Sequence, residues 1–266
     1  MSIIDLDFLD LAIATLLVVV AGLVSFAMRL RLERRLLFAT VRTVVQLLLV
    51  GYLLTWVFGV DHPLLLAAVM TVMIVAASRA ALDRSGRTFP GARLRSLFTL
   101  MLTATATTFA VTEFVVGVEP WYRPQYVIPL LGMVLGNGLT GLSLCLDHLL
   151  ETLDQERLLV EGDLAMGATR WEAAREPLRR GVTRGMIPIL NAMAVVGIVS
   201  LPGMMTGQIL SGTDPLTAVK YQIVVMFMLA AGTALSCMLM SFLVYQALFD
   251  AQHRLRAETI RRKHVD

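Results

Sequence analysis

Seven blocks of mainly apolar residues divide this sequence, each close to the length that crosses a bilayer. A hydrocarbon core about 30 Å thick is spanned by about 20 apolar residues in helical form. The blocks fall at 8–28, 36–58, 64–78, 97–117, 127–149, 186–205 and 219–249, read by the same window rule. The third is short unless it continues through residues 80–82, and the last is long enough to leave the bilayer before Phe249. Only 16% of the 266 residues are charged, against about 25% in an ordinary soluble domain. The expected fold is therefore an all-α polytopic transmembrane bundle of about seven spans, built as one domain over residues 1–266.

The cations orient this bundle. Arg29, Arg31, Arg34 and Arg35 lie in the first connection, and Arg79, Arg84, Arg87, Arg93 and Arg95 lie in the third. The fifth holds Arg157, Arg170, Arg175, Arg179, Arg180 and Arg184, and the tail at 250–266 adds Arg254, Arg256, Arg261, Arg262 and Lys263. Arg123 and Lys220 fall on the other side, and Arg42 lies within a span. The positive-inside rule places the N-terminus outside and the C-terminus in the cytoplasm. Asp5, Asp7 and Asp10 precede the first block and no Lys or Arg comes before Arg29, so the basic segment of a cleavable signal peptide is missing and the first span is expected to stay as an anchor. Cys145 and Cys237 sit inside spans, which argues against a disulfide framework. Membrane lipid, not nucleic acid, accounts for the basic balance.

The longest stretch between spans, 151–185, mixes charges with apolar residues at helical spacing. Gly167 reads as a helix stop, where a left-handed residue is cheap only for glycine. Thr169 and Glu172 have the spacing of a capping box. The segment is expected to be a helix, a tight Gly-Ala turn and a second helix on the cytoplasmic surface, with Pro188 at the start of the next span. A plain reading is an amphipathic surface linker.

The run Glu161-Gly-Asp-Leu-Ala-Met-Gly167-Ala168-Thr169 resembles the cytoplasmic EAA-type loop of ABC-transporter permeases. Further blocks extend the likeness: Arg42-Thr-Val-Val-Gln46-Leu, Val127-Ile-Pro-Leu-Leu-Gly-Met-Val-Leu-Gly-Asn137, Val199-Ser-Leu-Pro202-Gly-Met204-Met205-Thr-Gly and Asp214-Pro-Leu-Thr-Ala-Val-Lys-Tyr-Gln222. Together they resemble the FetB-type iron-export permease family, which has plant relatives linked to aluminium tolerance. The resemblance implies a permease that works as a homodimer with a separate ABC ATP-binding subunit. It also implies that Glu161, Gly167, Ala168, Thr169 and Glu172 couple to that ATPase.

The residues bear on the energy source independently. A phosphate-binding P-loop needs Lys before Ser or Thr, whereas Lys220 precedes Tyr221 and Lys263 precedes His264. The chain is thus expected to carry no cofactor, with ATP and magnesium on the partner subunit. Gradient-driven carriers usually keep acidic residues inside the membrane; here Glu113 and Asp147 lie near span ends. Such a carrier is the alternative, as is an ABC permease for a non-metal cargo such as a nucleotide sugar. An intramembrane enzyme would have to use Ser143, His148 or Asn137, and no nucleophile elbow surrounds Ser143.

Several polar or irregular positions are candidates for a translocation pathway. Arg42 and Gln46 share a helix face near the inner mouth, although Arg42 also suits a snorkelling anchor. Asn137 must find a partner across a helix interface or face a wet cavity. The glycine stripe Gly132, Gly136 and Thr140, with Gly141 beside it, suits helix packing. Pro202, Met204 and Met205 mark a break that is either a kinked pathway element or a helix end. Asn191 and Gln222 complete this set, and no metal-ligand spacing links the four histidines.

Overall fold

Prolines open three of the long helices. Pro63, Pro124 and Pro215 stand in the first turn, where a missing N–H costs nothing and φ is already helical. His62 Nδ1 accepts from Leu64 N at 3.3 Å, and Asp214 Oδ2 accepts from Thr217 N at 3.0 Å. The computed structural model describes residues 7–60, 62–250 and 252–263. Its helices are α1 (Phe8–Ala27), α2 (Glu33–Val60), α3 (Pro63–Asp83), α4 (Ala92–Ala110), α5 (Pro124–Gln155), α6 (Arg157–Ala165), α7 (Arg170–Val195), α8 (Gly203–Leu210) and α9 (Pro215–Leu248). A π-helical turn, Val111–Val116, prolongs α4 and ends at left-handed Gly117. Two short strands, β1 (Arg87–Thr88) and β2 (Arg261–Arg262), pair antiparallel.

Contacts divide the chain into two compact units, Met1–Asp61 with Leu210–Thr213, and His62–Ile209 with Asp214–Asp266. In the first, α1 and α2 pack together. Ser25 ties their junction, accepting from Leu32 N at 3.1 Å and donating to Glu33 Oε2 at 3.4 Å. Apolar side chains such as Leu17, Phe38 and Leu49 point outward, as they must where lipid is the solvent.

In the second unit α3, α4, α5, α7 and α9 surround a core that includes Leu100, Leu131, Leu142, Leu146, Leu149 and Met240. Alternation of direction is visible residue by residue. Thr103 Oγ1 lies 2.7 Å from Ser236 Oγ, and Thr99 Oγ1 lies 3.9 Å from Met240 Sδ; moving forward on α4 moves backward on α9. Glycines bring α5, α7 and α9 into near backbone contact. A Cβ on Gly185 would lie 2.6 Å from Gly141 O, 2.7 Å from Cys237 Sγ and 2.8 Å from Cys145 Cβ. One on Gly181 would lie 2.9 Å from Leu149 Cβ. Gly181 thus faces Leu149 and Gly185 faces Gly141, so α7 runs antiparallel to α5. At the end away from the basic loops, Trp121 meets Phe109 edge-on at 5.5 Å and Tyr122 at 5.8 Å, a pattern suited to a membrane interface.

Among the described residues, six helices are long and apolar enough to cross a membrane: α1, α2, α3, α4 with its π turn, α5 and α9. Six of the seven expected blocks fall on them. The block at 186–205 does not form one continuous helix. Its first half is the end of α7, and its second half crosses a bend into α8. The bend has a physical cause: Gly197 adopts φ +83°, its N–H donates to Ser200 O at 2.9 Å, and Pro202 follows. Pro188 opens no helix either; with Pro177 it lies inside α7, which runs unbroken from Arg170. The packing stripe holds in part, since a Cβ on Gly132 would lie 3.3 Å from Met73 Cε. Gly136 meets nothing within 4 Å, whereas Gly141 fits a slot against Thr233, Gly185 and Cys237.

Gly185→Leu should therefore overpack the α5–α7–α9 junction by at least about 1–3 kcal/mol. The unfolding midpoint in detergent is expected to fall by about 5 °C or more, while Gly136→Leu leaves it unchanged. Equal midpoints for the two variants would contradict the close approach.

Candidate functional site

The elbow between α6 and α7 is built almost wholly from local rules. Arg157 Nε bonds Glu161 Oε1 at 2.6 Å along α6. The helix then stops at Gly167, which adopts φ +97°. Gly167 N donates to Leu164 O at 3.2 Å and Ala168 N to Asp163 O at 3.0 Å, the paired bonds of a Schellman motif. Two residues on, Glu172 N donates to Thr169 Oγ1 at 3.3 Å, and Thr169 N and Oγ1 both donate to Glu172 Oε2 at 2.8 Å. The expected helix, turn and capping box are all present. The N–H and hydroxyl of Thr169 hold the Glu172 carboxyl below its ordinary range. Next along α7, Arg179 and Arg180 bring Glu176 down to about 2.

Three apolar side chains project from this charged elbow. Leu158, Leu159 and Met166 are 83%, 67% and 83% exposed. Behind them, the start of α7 is held firmly. Trp171 packs edge-on against Tyr245 at 5.4 Å, Arg170 lies over the same ring at 5.7 Å, and Arg170 N donates to His253 Nδ1 at 3.1 Å.

His253 belongs to a tail whose structure the sequence reading did not anticipate. Asp250 Oδ1 accepts from Gln252 N at 3.0 Å and Arg254 N at 2.9 Å, turning the chain back. Leu255 and Ala257 are then buried while Arg256 stays exposed. β2 pairs with β1 in the α3–α4 connection, and Lys263 Nζ donates to Leu82 O at 2.6 Å. Arg87 pairs with Glu151 at 3.1 Å, and Arg262 with Asp154 at 3.0 Å. The available signals were the Asx turn at Asp250 and the alternation Leu255-Arg256-Ala257. Asp147 has a local role: its Oδ1 accepts from Gly86 N at 2.9 Å, fixing the α3–α4 connection to α5.

The pathway candidates are dispersed. Arg42 and Gln46 lie one turn apart on α2 in the first unit, both exposed. In the second unit, Asn137 is half-buried and donates to Met133 O at 3.0 Å. One amide N–H is thus bonded within its own helix, not across a helix interface. Asn191 is exposed in the last turns of α7. Pro202 precedes α8 and accepts from Thr206 N at 3.0 Å, while Met204 and Met205 are half-buried on α8. Gln222 is buried in α9, and its Oε1 has no hydrogen-bond partner. Thr108 Oγ1 and Thr233 Oγ1 share that condition. The threonines of α4 at 99, 103, 107 and 108 were overlooked as a polar face; their four-residue spacing was the signal. Among the described residues no group of three or more His, Cys, Asp or Glu is placed to hold a metal ion.

The model of the Uncharacterised protein family (UPF0014) matches residues 8–249. The chain is 34% identical over 254 residues to the probable iron export permease protein FetB of Escherichia coli (strain K12), covering 96% of each chain. It is 37% identical over 231 residues to the UPF0014 membrane protein slr1647 of Synechocystis, covering 85% of this chain and 87% of that one. It is 29% identical over 245 residues to Protein ALUMINUM SENSITIVE 3 of Arabidopsis thaliana, with 92% and 88% covered. No solved structure matches it.

Thr169→Ala removes the cap and should destabilise the first turn of α7 by about 1 kcal/mol, read as roughly fivefold faster amide exchange over residues 170–173. Acid should act in the same direction. Glu172 and Glu176 have depressed values, so their contribution is complete above the ordinary 4.5 and is lost as pH falls from there, toward about 2 for Glu176. Protection of these amides that does not change between pH 5 and pH 2, after correction for intrinsic exchange, would contradict the assignment.

Proposed function

The chain belongs to the UPF0014 family, and from that membership we propose that it is the permease subunit of an ABC transporter exporting iron or another metal ion. It is a multi-pass plasma-membrane protein. In this reading it works as a homodimer, and a separate ABC ATP-binding subunit supplies ATP and magnesium. The observation that carries the proposal is the α6–α7 elbow, a rigidly capped turn that leaves Leu158, Leu159 and Met166 exposed. The metal cargo rests on the name of the Escherichia coli relative.

Charge and direction favour seven crossings, with the N-terminus outside and the C-terminus in the cytoplasm. The helix α7 starts among the basic loops and runs antiparallel to α5. Its charged first half stands at the cytoplasmic surface, and its second half, the 196–202 bend and α8 together make the sixth crossing. Short helical pieces and irregular backbone at membrane depth are tolerated where protein or a cavity surrounds them.

This arrangement gives a route for coupling. Glu161 steadies α6, Gly167 and Ala168 set the turn, and Thr169 with Glu172 starts α7. The partner subunit grips Leu158, Leu159 and Met166. Movement of the elbow is carried by α7, whose 26 residues form a rod roughly 39 Å long, to the bend beside Met204 and Met205. Asn137, Asn191, Pro202 and Gln222 are the polar or irregular positions of the second unit assigned to the path; Arg42 and Gln46, in the first unit, are candidates from the sequence alone.

Gly167→Val forces a β-branched residue into a left-handed conformation at a cost of about 1–2 kcal/mol, although no neighbouring atom obstructs it. In inside-out vesicles holding both subunits, it should lower metal ions moved per ATP by tenfold or more without affecting insertion. Leu158→Asp with Met166→Asp should abolish co-purification of the ATP-binding subunit. Normal coupling in the first variant and normal assembly in the second would overturn the proposal.

A further inference from the structure

A cavity of about 1,140 Å³ opens at the basic end of α3 and α4, outside the elbow and outside the pathway candidates. Its walls come from four parts of the chain: the second half of α3, Thr88 and Phe89 of the α3–α4 connection, the first two turns of α4, and Lys263 of the tail. It exceeds the roughly 300–1,000 Å³ of ordinary small-molecule sites.

Its chemistry has two sides. Arg79, Arg93 and Lys263 supply three cations against the single acid Asp83. Arg87, Arg157, Arg179, Arg180, Arg256 and Arg262 make ion pairs within the chain, but Arg79 and Arg93 make none among the described residues. The Nζ of Lys263 is held at the wall by Leu82 O. The first turn of α4 adds to the positive field, because Gly91 at its N-cap offers no side chain to its amides and a helix start favours an anion. The other side is apolar: Val75, Leu97 and Leu94 line the cavity, and Leu94 is 74% exposed. A soluble phosphate has no use for that wall.

We propose that this cavity binds an anionic phospholipid of the basic-side leaflet, its headgroup phosphate held by Arg79, Arg93 and Lys263 and its acyl chains lying along Val75, Leu94 and Leu97. Basic pockets between membrane helices recognise such headgroups. The position gives the lipid a structural consequence. Thr88 of β1 and Lys263 both line the cavity, and Lys263 N also donates to Gly86 O at 2.8 Å. The bound lipid therefore closes over the same strand pair that fastens the tail.

The test uses the full chain in neutral detergent, titrated with phosphatidylglycerol or phosphatidylcholine and read by native mass spectrometry. One phosphatidylglycerol should bind per chain in preference to phosphatidylcholine. Arg79→Gln and Arg93→Gln should each weaken it about fivefold, the worth of one juxtamembrane cation, and about 25-fold together if the two act independently. Arg175→Gln, an exposed cation outside the cavity, should have no effect. Both arginines are exposed and unpaired, so folding should survive; an unchanged unfolding midpoint in lipid-free detergent verifies this. Equal binding of the two lipids, undiminished binding in the double variant, or displacement of the lipid by millimolar inorganic phosphate would each overturn the proposal, the last by making the cavity a soluble-anion site.

Discussion

Between helices surrounded by lipid, apolar burial offers little drive, because the lipid chains are as apolar as the side chains they replace. Close contact has to come from shape, and here it comes from glycines. With only hydrogen at Gly141 and Gly185, the backbones of α5 and α7 touch beside Cys145 and Cys237, and Gly181 repeats the arrangement beside Leu149. The rest of the second unit depends on this seam. It holds α7 against α5 and α9 over several turns, which explains how a helix with seven charges before Gly185 and two internal prolines stays continuous. Any side chain at Gly185 would push α7 away from α5 and α9.

The basic face divides into parts that are fastened and a part that is left free. Ion pairs from Arg87 and Arg262 to Glu151 and Asp154, the Asp147 bond to Gly86 and the β1–β2 pair fasten the α3–α4 connection, the end of α5 and the tail to one another. Each surface ion pair is weak alone, but together they act on one small region and are backed by the buried Leu255 and Ala257. The tip of the elbow receives no such cover. Its conformation is fixed by the Schellman bonds and the capping box, so its apolar residues are displayed in a set geometry at small entropic cost to a partner.

Much of this was legible in the residues. Block length gave six of the membrane helices, because apolar length is a direct requirement of the bilayer. Gly167 and the Thr169–Glu172 pair gave the elbow, because capping is a short-range interaction within one turn. What failed was long-range. The sixth block reads by hydropathy as one helix, but hydropathy carries no sign that Gly197 and Pro202 bend it or that α7 runs through Pro188. Of the packing glycines, Gly132 and Gly141 meet neighbours and Gly136 meets none, since periodicity does not say which neighbour a helix meets. Asn137 looked like a group in need of a cross-helix partner, and one of its N–H groups bonds Met133 O in its own helix. The polar face of α4 was missed because threonine reads as nearly neutral in an apolar run.

The strand pair between β1 and β2 also imposes an order on assembly. Leu82 and Lys263 are 181 residues apart, and domains emerge from the ribosome at only about 5–20 residues per second. The α3–α4 connection must therefore wait, in water and without its partner strand, for roughly 10–35 seconds while the later helices are made and inserted. During that interval Arg87 can already find Glu151 and Asp154 as α5 appears, so the early ion pairs keep the edge in register until the tail arrives to close it. The tail thus completes a strand pair whose first half is made 173 or more residues earlier.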